Sequence, residues 1–435
     1  MIKRISLLIL FVFSVCMSKA GNYPYRSDVL WVTTPSHSNW LYKTKEKATI
    51  TVALYRYGIL QDGLEIKYSI GPELRPAEDE GTVKLKNGKA EIALGTMNDP
   101  GFKDCRLKVS LDGKEFSHHI KVGFSPEKLM PYTQLPDDFT AFWDKAKAVA
   151  EKCPVKVEKT FVPEFSSDKI DCYLVKLQAY AKNAEVYGYL TVPKQEGKFP
   201  VVFSPPGAGI KPMDPTKHLF YAESGYIRFD MEIHGIRPDL EKERYTEISR
   251  AFGKENNSYL TNGLDNKDNY YMKKVYLSCI RAIDYLTSLP EWDGQNVIAQ
   301  GGSQGGALAL ITTALDDRVT LCAANHPALS DMAGFKGGRA SGYPHFDLYF
   351  NGMDTPEKIK TMAYYDVVNF ARFIKAPVFM TWGYNDNVCP PTTSYTVYNT
   401  LACPKESLIT PVNEHWVSEE TRHLILDWIC SKIEP

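Results

Sequence analysis

The 435-residue sequence predicts an α/β fold with a mostly parallel sheet, preceded by a small all-β sandwich. Three observations carry that prediction. Period-two alternation of apolar and polar residues fills the region before about residue 125, whereas near-continuous apolar runs separated by helical stretches fill the rest. A serine ringed by glycines stands where one of those apolar runs passes straight into a helix-forming segment.

A chain of this length exceeds what one hydrophobic core usually serves, so two domains are expected. Residues 1–20, "MIKRISLLILFVFSVCMSKA", combine a basic start, an apolar run from Ile5 to Val15 and the small-residue site Ser18-Lys19-Ala20, the pattern of a secretory signal peptide. The expected destination is the periplasm or the exterior. Cys16 would permit a lipoprotein anchor, but Phe13-Ser14-Val15 before it is a poor lipobox. No later stretch reaches about 18 apolar residues, so no membrane span is expected once the leader is removed, and the mature protein should be soluble. The formal charge is −1, and loss of Lys3, Arg4 and Lys19 with the leader makes it more acidic. Such a balance does not favour nucleic acid. The cysteines after the leader are scattered without a C-x-x-C pair, which argues against a metal site and against a dense disulfide framework.

The first domain is expected over 22–125. Strand patterns occur at 48–58, 64–71, 81–95 and 105–124, and the last two carry Asn87-Gly88 and Asp112-Gly113, dipeptides that supply the positive φ angles of tight hairpin turns. The natural assembly is a sandwich of immunoglobulin-like kind, packing as a separate unit without catalytic residues and helping to place the protein on a glycan or partner. His118 and His119 lie within one strand and so point to opposite faces, which makes them ordinary strand residues rather than a metal grip.

The second domain is expected over 126–435. In "FTAFWDKAKAVAEK" (139–152), Phe139, Phe142, Trp143, Ala146 and Ala150 fall at helical spacing. Strands follow at 169–180, 186–192, 199–205, 226–233, 296–301, 319–325 and 376–383, several of them continuously apolar, as strands covered on both faces should be.

In "VIAQGGSQGGALAL" (297–310), Gly301, Ser303 and Gly305 match the G-x-S-x-G nucleophile elbow, in which a sharp strand-to-helix turn lifts a serine above the sheet of an α/β-hydrolase. Read alone, the glycines could equally serve close packing; the alternating strands and helices around them favour chemistry. A serine needs a base and a group to orient that base, and in this fold the order is serine, acid, histidine. Of the histidines after Ser303, His326 precedes most acids, His345 lies in an irregular insertion and His423 falls inside the terminal helix. His415, directly after "SLITPVNE", stands where a last strand hands over to a last helix. Asp386, in "GYNDNVCPPTT", is the candidate acid; its alternative is a helix-capping role. Asp366 is the reserve, though it looks like a residue at a helix start. An oxyanion hole would take the backbone amide of Gln304, following the serine, and that of Ala208 in the loop "SPPGAG" (204–209).

These segments resemble the acetyl xylan esterase and cephalosporin-C deacetylase group, carbohydrate esterase family seven. The likeness rests on "DDFTAFW" (137–143), on 263–306 with its G-G-S-Q-G-G core, and on 364–401 with its D-x-V-C-P-P signature, and it covers most of 130–435. It implies an α/β-hydrolase fold, a triad of Ser303, Asp386 and His415, and oxyanion donors at Gln304 and at Ala208, where relatives usually carry tyrosine. Two departures bear on substrate preference and assembly. The family's Arg-Gly-Gln motif is His234-Gly235-Ile236 here, and its His-Glu pair is His415-Trp416. The N-terminal sandwich is absent from the single-domain members, so no hexamer is assumed.

The expected activity is a serine esterase that removes acetyl groups from carbohydrate hydroxyls such as those of acetylated xylan, with no metal and no organic cofactor. The alternatives are a serine peptidase of the prolyl oligopeptidase type, whose usual propeller the first domain is too short to hold, and a catalytically dead glycan-binding hydrolase fold. Tyr343, Phe346, Tyr349 and Phe350, in the insertion after the sixth strand, together with His234, are candidates for the substrate pocket; for the four aromatics the alternative is packing within the insertion itself.

Overall fold

In a computed structural model, residues 28–252 and 258–433 are described. The expected leader, 1–20, lies outside them. Strands β1 (Val29–Pro35), β2 (Leu41–Tyr42), β3 (Ala48–Arg56), β4 (Ile59–Leu60), β5 (Glu65–Pro72), β6 (Asp79–Lys84), β7 (Ala90–Gly95), β8 (Gly101–Leu111) and β9 (Lys114–Phe124) form the first unit. They make two sheets, one of β1, β3, β4 and β7 and one in the order β2-β9-β8-β5-β6. Between them lies a core that includes Ile50, Val52, Leu54, Ile66, Leu107, Ile120 and Val122.

The two turn dipeptides behave differently. Asp112 and Gly113 take φ of 49° and 75° and close an antiparallel ladder running from Leu111↔Lys114 to Gly101↔Phe124. Asn87 and Gly88 also take positive φ, but only Lys86 and Lys89 pair across them. There β6 continues on β5 and β7 on β3, so the expected hairpin is instead a corner that carries the chain from one sheet to the other.

The second unit holds β10 (Val157–Phe161), β11 (Ile170–Gln178), β12 (Glu185–Pro193), β13 (Phe199–Ser204), β14 (Ile227–Met231), β15 (Trp292–Gly302), β16 (Leu321–Asn325), β17 (Val378–Trp382) and β18 (Lys405–Ile409). They form one sheet in the order β10-β11-β12-β14-β13-β15-β16-β17-β18, antiparallel at the β10 to β12 end and parallel from β14 to β18. This is the α/β-hydrolase architecture, with β10 as an added edge strand that the sequence does not announce: four of its five residues are exposed and no apolar period marks it.

Alternation along the central strands explains why they read as continuous apolar runs. Val201, Phe203, Val297, Ala299, Cys322, Ala324, Val378 and Met380 face a core shared with helices Phe139–Ala150, Tyr271–Leu286 and Gln304–Leu315. Val202, Ile298, Leu321, Ala323 and Phe379 face the opposite layer with Ile425, Trp428 and Ile429 of the terminal helix. Each buried aliphatic side chain contributes roughly 1.5–3 kcal/mol, and none on these strands is left exposed to oppose it. The helix Phe139–Ala150 buries the five residues its spacing marks. The eight cysteines among the described residues are all free, and five of them are buried.

The sandwich keeps its own core but does not pack as a separate unit. Residues 120–124 of β9 are all buried, which a strand with one solvated face could not achieve: Ile120, Val122 and Phe124 turn into the sandwich, while the other face is covered by the catalytic unit. Phe102 of β8 joins the main core and packs on Tyr384 and Tyr395, with ring centroids 5.1 and 5.8 Å away.

Candidate active site

The parallel strands point their carboxyl ends at one edge of the sheet, and β15, β17 and β18 each deliver a polar residue there. After β15, Ser303 adopts φ 58° and ψ −125°, a conformation that residues bearing a side chain seldom hold unless their surroundings enforce it. The surroundings do so by close approach. A Cβ on Gly301 would stand 2.5 Å from the Gly305 backbone, and one on Gly305 would stand 2.4 Å from the Pro205 carbonyl oxygen. The Ser303 amide donates to the Asn325 carbonyl at 3.0 Å, and its own carbonyl accepts from Ala307 and Ala328. The glycines thus bring strand, helix and the 204–209 loop into contact.

Asp386 follows β17 and is fully buried. Its Oδ1 accepts the amides of Val388 and Cys389 at 2.7 and 2.9 Å, and its Oδ2 lies 2.8 Å from His415 Nδ1. Burial alone would raise its pKa, but the His415 hydrogen bond and charge outweigh burial and hold it below the ordinary value. His415, in the loop after β18, places Nε2 3.0 Å from Ser303 Oγ. Serine, imidazole and carboxylate therefore form one hydrogen-bonded row at the mouth of the sheet. Such a row can pass a proton from the hydroxyl to the ring while the carboxylate stabilises the resulting cation.

Gln304 opens the helix Gln304–Leu315, whose N-terminus offers unpaired amides and a favourable dipole to an anion. Its side chain is buried, and Oε1 accepts from the Tyr259 hydroxyl at 2.6 Å. The same hydroxyl accepts from the Gly209 amide at 3.4 Å, so Tyr259 ties the loop containing Ala208 to the residue after the serine. Tyr259 lies in an irregular segment where no periodicity marks it.

The remaining candidates separate. His234 lies behind the oxyanion loop: Nδ1 is 2.8 Å from the Tyr271 hydroxyl, its ring meets Tyr259 edge-on at 4.7 Å, and burial lowers its pKa to about 4. The turn His234-Gly235-Ile236 that replaces the family motif is gathered by the Glu232 carboxylate, which accepts all three backbone amides. Tyr343 is half-buried and tied to the serine turn through the backbone: its carbonyl accepts the Leu329 amide at 3.0 Å, and the neighbouring Ala328 amide donates to the Ser303 carbonyl at 3.0 Å. Phe346 does not line the pocket: it is fully buried in the main core, where the insertion folds onto the catalytic unit. Phe350 packs against that core beside it, and Tyr349 is 65% exposed. For Phe346 and Phe350 the packing alternative fits the surroundings, whereas Tyr349 faces solvent.

Asp366 is fully buried and accepts the amides of Asp331, Met332 and Val368, the last as a helix cap, which makes it a structural knot rather than the acid of the row. His423 is exposed on the terminal helix, beside Phe220. His326 is a residue that chain order passes over: its ring lies 4.4 Å from that of His415, buried, with its pKa lowered to about 4 by desolvation and by His415. Among the described residues, His326, Asp386 and His415 bring possible metal-ligating atoms within 4.8 Å of one another. Both His415 nitrogens already face Asp386 and Ser303, so an ion there would break the proton-transfer row.

Residues 126–432 match the family model described as acetyl xylan esterase. The chain is 56% identical over 434 residues to the acetyl esterase Axe7A of Xylanibacter ruminicola, spanning 99% of this chain and 97% of that protein. Among solved structures, an acetyl xylan esterase from Paenibacillus sp. R4 aligns with a TM-score of 0.62 and 27% identity, covering 71% of this chain and 98% of that one. Acetyl xylan esterase 1 from Thermoanaerobacterium sp. JW/SL YS485 shares the fold, with a TM-score of 0.61 and 24% identity over 70% of this chain and 97% of its own.

Proposed function

The chain belongs to the acetyl xylan esterase family and is a carboxylic ester hydrolase, and on that premise we propose that it removes acetyl groups from carbohydrate hydroxyls through an acyl-enzyme on Ser303. The observation that carries this reading is the His415 imidazole, 2.8 Å from Asp386 and 3.0 Å from Ser303. His415 Nε2 takes the hydroxyl proton as Ser303 Oγ attacks the acetyl carbonyl. The amides of Gln304 and Ala208 stabilise the oxyanion, a role whose loss typically costs about 10²–10³ in rate per donor. Collapse breaks the ester bond, and the departing sugar oxygen takes the proton from His415. Water then attacks the acetyl-serine, its proton passes to His415, and acetate leaves as Ser303 recovers its own. Asp386 orients the ring and stabilises its cationic form throughout.

Acetylated xylan and xylo-oligosaccharides are the proposed substrates, by similarity to the named relatives. The leader-like pattern at 1–20 supports export to the periplasm or the exterior, where such polymers lie. No helix among the described residues is long and apolar enough to cross a membrane. The experiment is acetate release from acetylated xylo-oligosaccharides and from p-nitrophenyl acetate by wild type and Ser303→Ala. The variant should fold and lose turnover by up to about 10⁶-fold, because the members of such a triad act as a unit. Substantial residual turnover in a clean preparation would remove Ser303 from the mechanism.

A further inference from the structure

The covered face of β9 carries a polar group in an unusual position. Lys121 is fully buried, 265 residues before Asp386 in the chain, and its ammonium donates to the Asp386 carbonyl oxygen at 2.6 Å and to Glu73 Oε1 at 2.7 Å. The Lys121 amide donates to Asn385 Oδ1 at 2.9 Å. Glu73, itself buried, uses its other oxygen to accept the Thr392 amide at 3.3 Å. One ion pair from the sandwich therefore grips the acid loop at both ends, at 385–386 and at 392. The grip extends to the histidine loop: the Asn385 side-chain amide donates to the Val412 carbonyl at 3.3 Å, and its backbone amide donates to the Asn413 carbonyl at 3.1 Å. Gly383 approaches Asn413 so closely that a Cβ would stand 2.0 Å from its carbonyl oxygen. Beside Lys121, His119 spans from Asp104 at 3.2 Å to Glu414 at 3.8 Å, the residue next to His415.

We propose that the sandwich is a working part of the active site, with Lys121 as a positioning residue that fixes the Asp386 backbone so that its carboxylate holds His415 in line with Ser303. The inference rests on the catalytic reading given above. Its physical basis is an asymmetry between stability and geometry. A buried ion pair is a poor source of stability, because desolvating both charges offsets their attraction, and neutral replacement of the whole pair is often harmless to the fold. Catalysis is far less tolerant, since a shift of about 1 Å in a reacting group can cost on the order of 10²-fold in rate. A pair that contributes little to folding yet donates to the backbone of the acid is placed to act on geometry. Removal of Lys121 alone would leave Glu73 buried and unpaired; its pKa, already raised by burial against the pull of Lys121, would rise further and the group would take up a proton.

The test compares wild type, Lys121→Met and the double variant Lys121→Met with Glu73→Gln, in which no charge is left unpaired and the Thr392 amide keeps an acceptor. Both kcat and KM on p-nitrophenyl acetate are measured beside thermal unfolding. The double variant should melt close to wild type while kcat falls by about 10- to 100-fold and KM changes by less than about 3-fold, the signature of a misplaced catalytic group. Wild-type kcat in a folded double variant would overturn the inference and leave the esterase reading intact. Absence of acetyl-ester hydrolysis in wild type, or full activity in Ser303→Ala, would instead overturn the reading on which the inference rests.

Discussion

The turn at Ser303 and the loop at Asp386 lie in the same site but are built in opposite ways. Everything that shapes the serine turn lies nearby in sequence or in the first layer around it: Gly301, Gly305 and Gly306 permit contacts at which a Cβ would come within 2.7 Å of backbone atoms, and the helix begins at the next residue. The acid loop has no such local code. Asp386 organises its own turn through Val388 and Cys389, but its place is set by Lys121 and Glu73, 265 and 313 residues earlier in the chain. A nucleophile in a strained conformation needs a stiff local frame, whereas an acid and a base on two separate loops need an outside reference to stay in register. Here the sandwich supplies that reference, and a motif match starting at residue 126 does not contain it.

The largest effect expected on the loop side comes from the base. His415→Ala should lower turnover about as severely as loss of the nucleophile, on the order of 10⁶-fold, while His423→Ala should change it little, because His423 is exposed on the terminal helix, with its ring beside Phe220. Steady-state kinetics on p-nitrophenyl acetate decide between them, and the reverse ranking would show that the loop after β18 does not carry the base.

This contrast also accounts for what was legible in the sequence. Glycine spacing around Ser303, the helical spacing of Phe139 to Ala150 and the Asp112-Gly113 turn each express a local requirement, and each is present in the fold. Chain order pointed to Asp386 and His415, and the fold brings both into a hydrogen-bonded row with Ser303, because strand ends recur in sequence order in this architecture. Lys121 was invisible for a physical reason: in an alternating strand a lysine between Ile120 and Val122 reads as the solvated face, and only the docking of a second unit buries it. The Asn87-Gly88 turn misled in the same way. Its backbone geometry is that of a hairpin, but the choice of partner for β6 and β7 belongs to the two sheets rather than to the dipeptide. The aromatic cluster at 343–350 could not be sorted into wall and core by composition; only burial separates Phe346 from Tyr343.

A smaller effect sharpens the account on the serine side. Tyr343, half-buried and joined through Leu329 and Ala328 to the Ser303 backbone, is the aromatic placed to limit the length of an acyl chain on the serine. kcat/KM should therefore fall from p-nitrophenyl acetate to butyrate to octanoate, by roughly 5- to 150-fold overall, since overfilling a packed pocket costs about 1–3 kcal/mol. Tyr343→Ala should flatten that fall. Equal rates on acetate and octanoate in wild type would indicate an open cleft and remove the small-acyl preference.

The central claim is that Ser303 is the nucleophile and that the row behind it activates it. A p-nitrophenyl phosphonate tests this without dependence on how fast an acyl-enzyme breaks down: it reacts with an activated serine, releases nitrophenol and leaves a stable adduct. Peptide mapping by mass spectrometry should find one phosphonyl group per chain, on Ser303, formed in step with loss of esterase activity, and His415→Ala should form it far more slowly. Complete inactivation with the adduct on any other residue, or labelling of Ser303 with activity retained, would contradict the account.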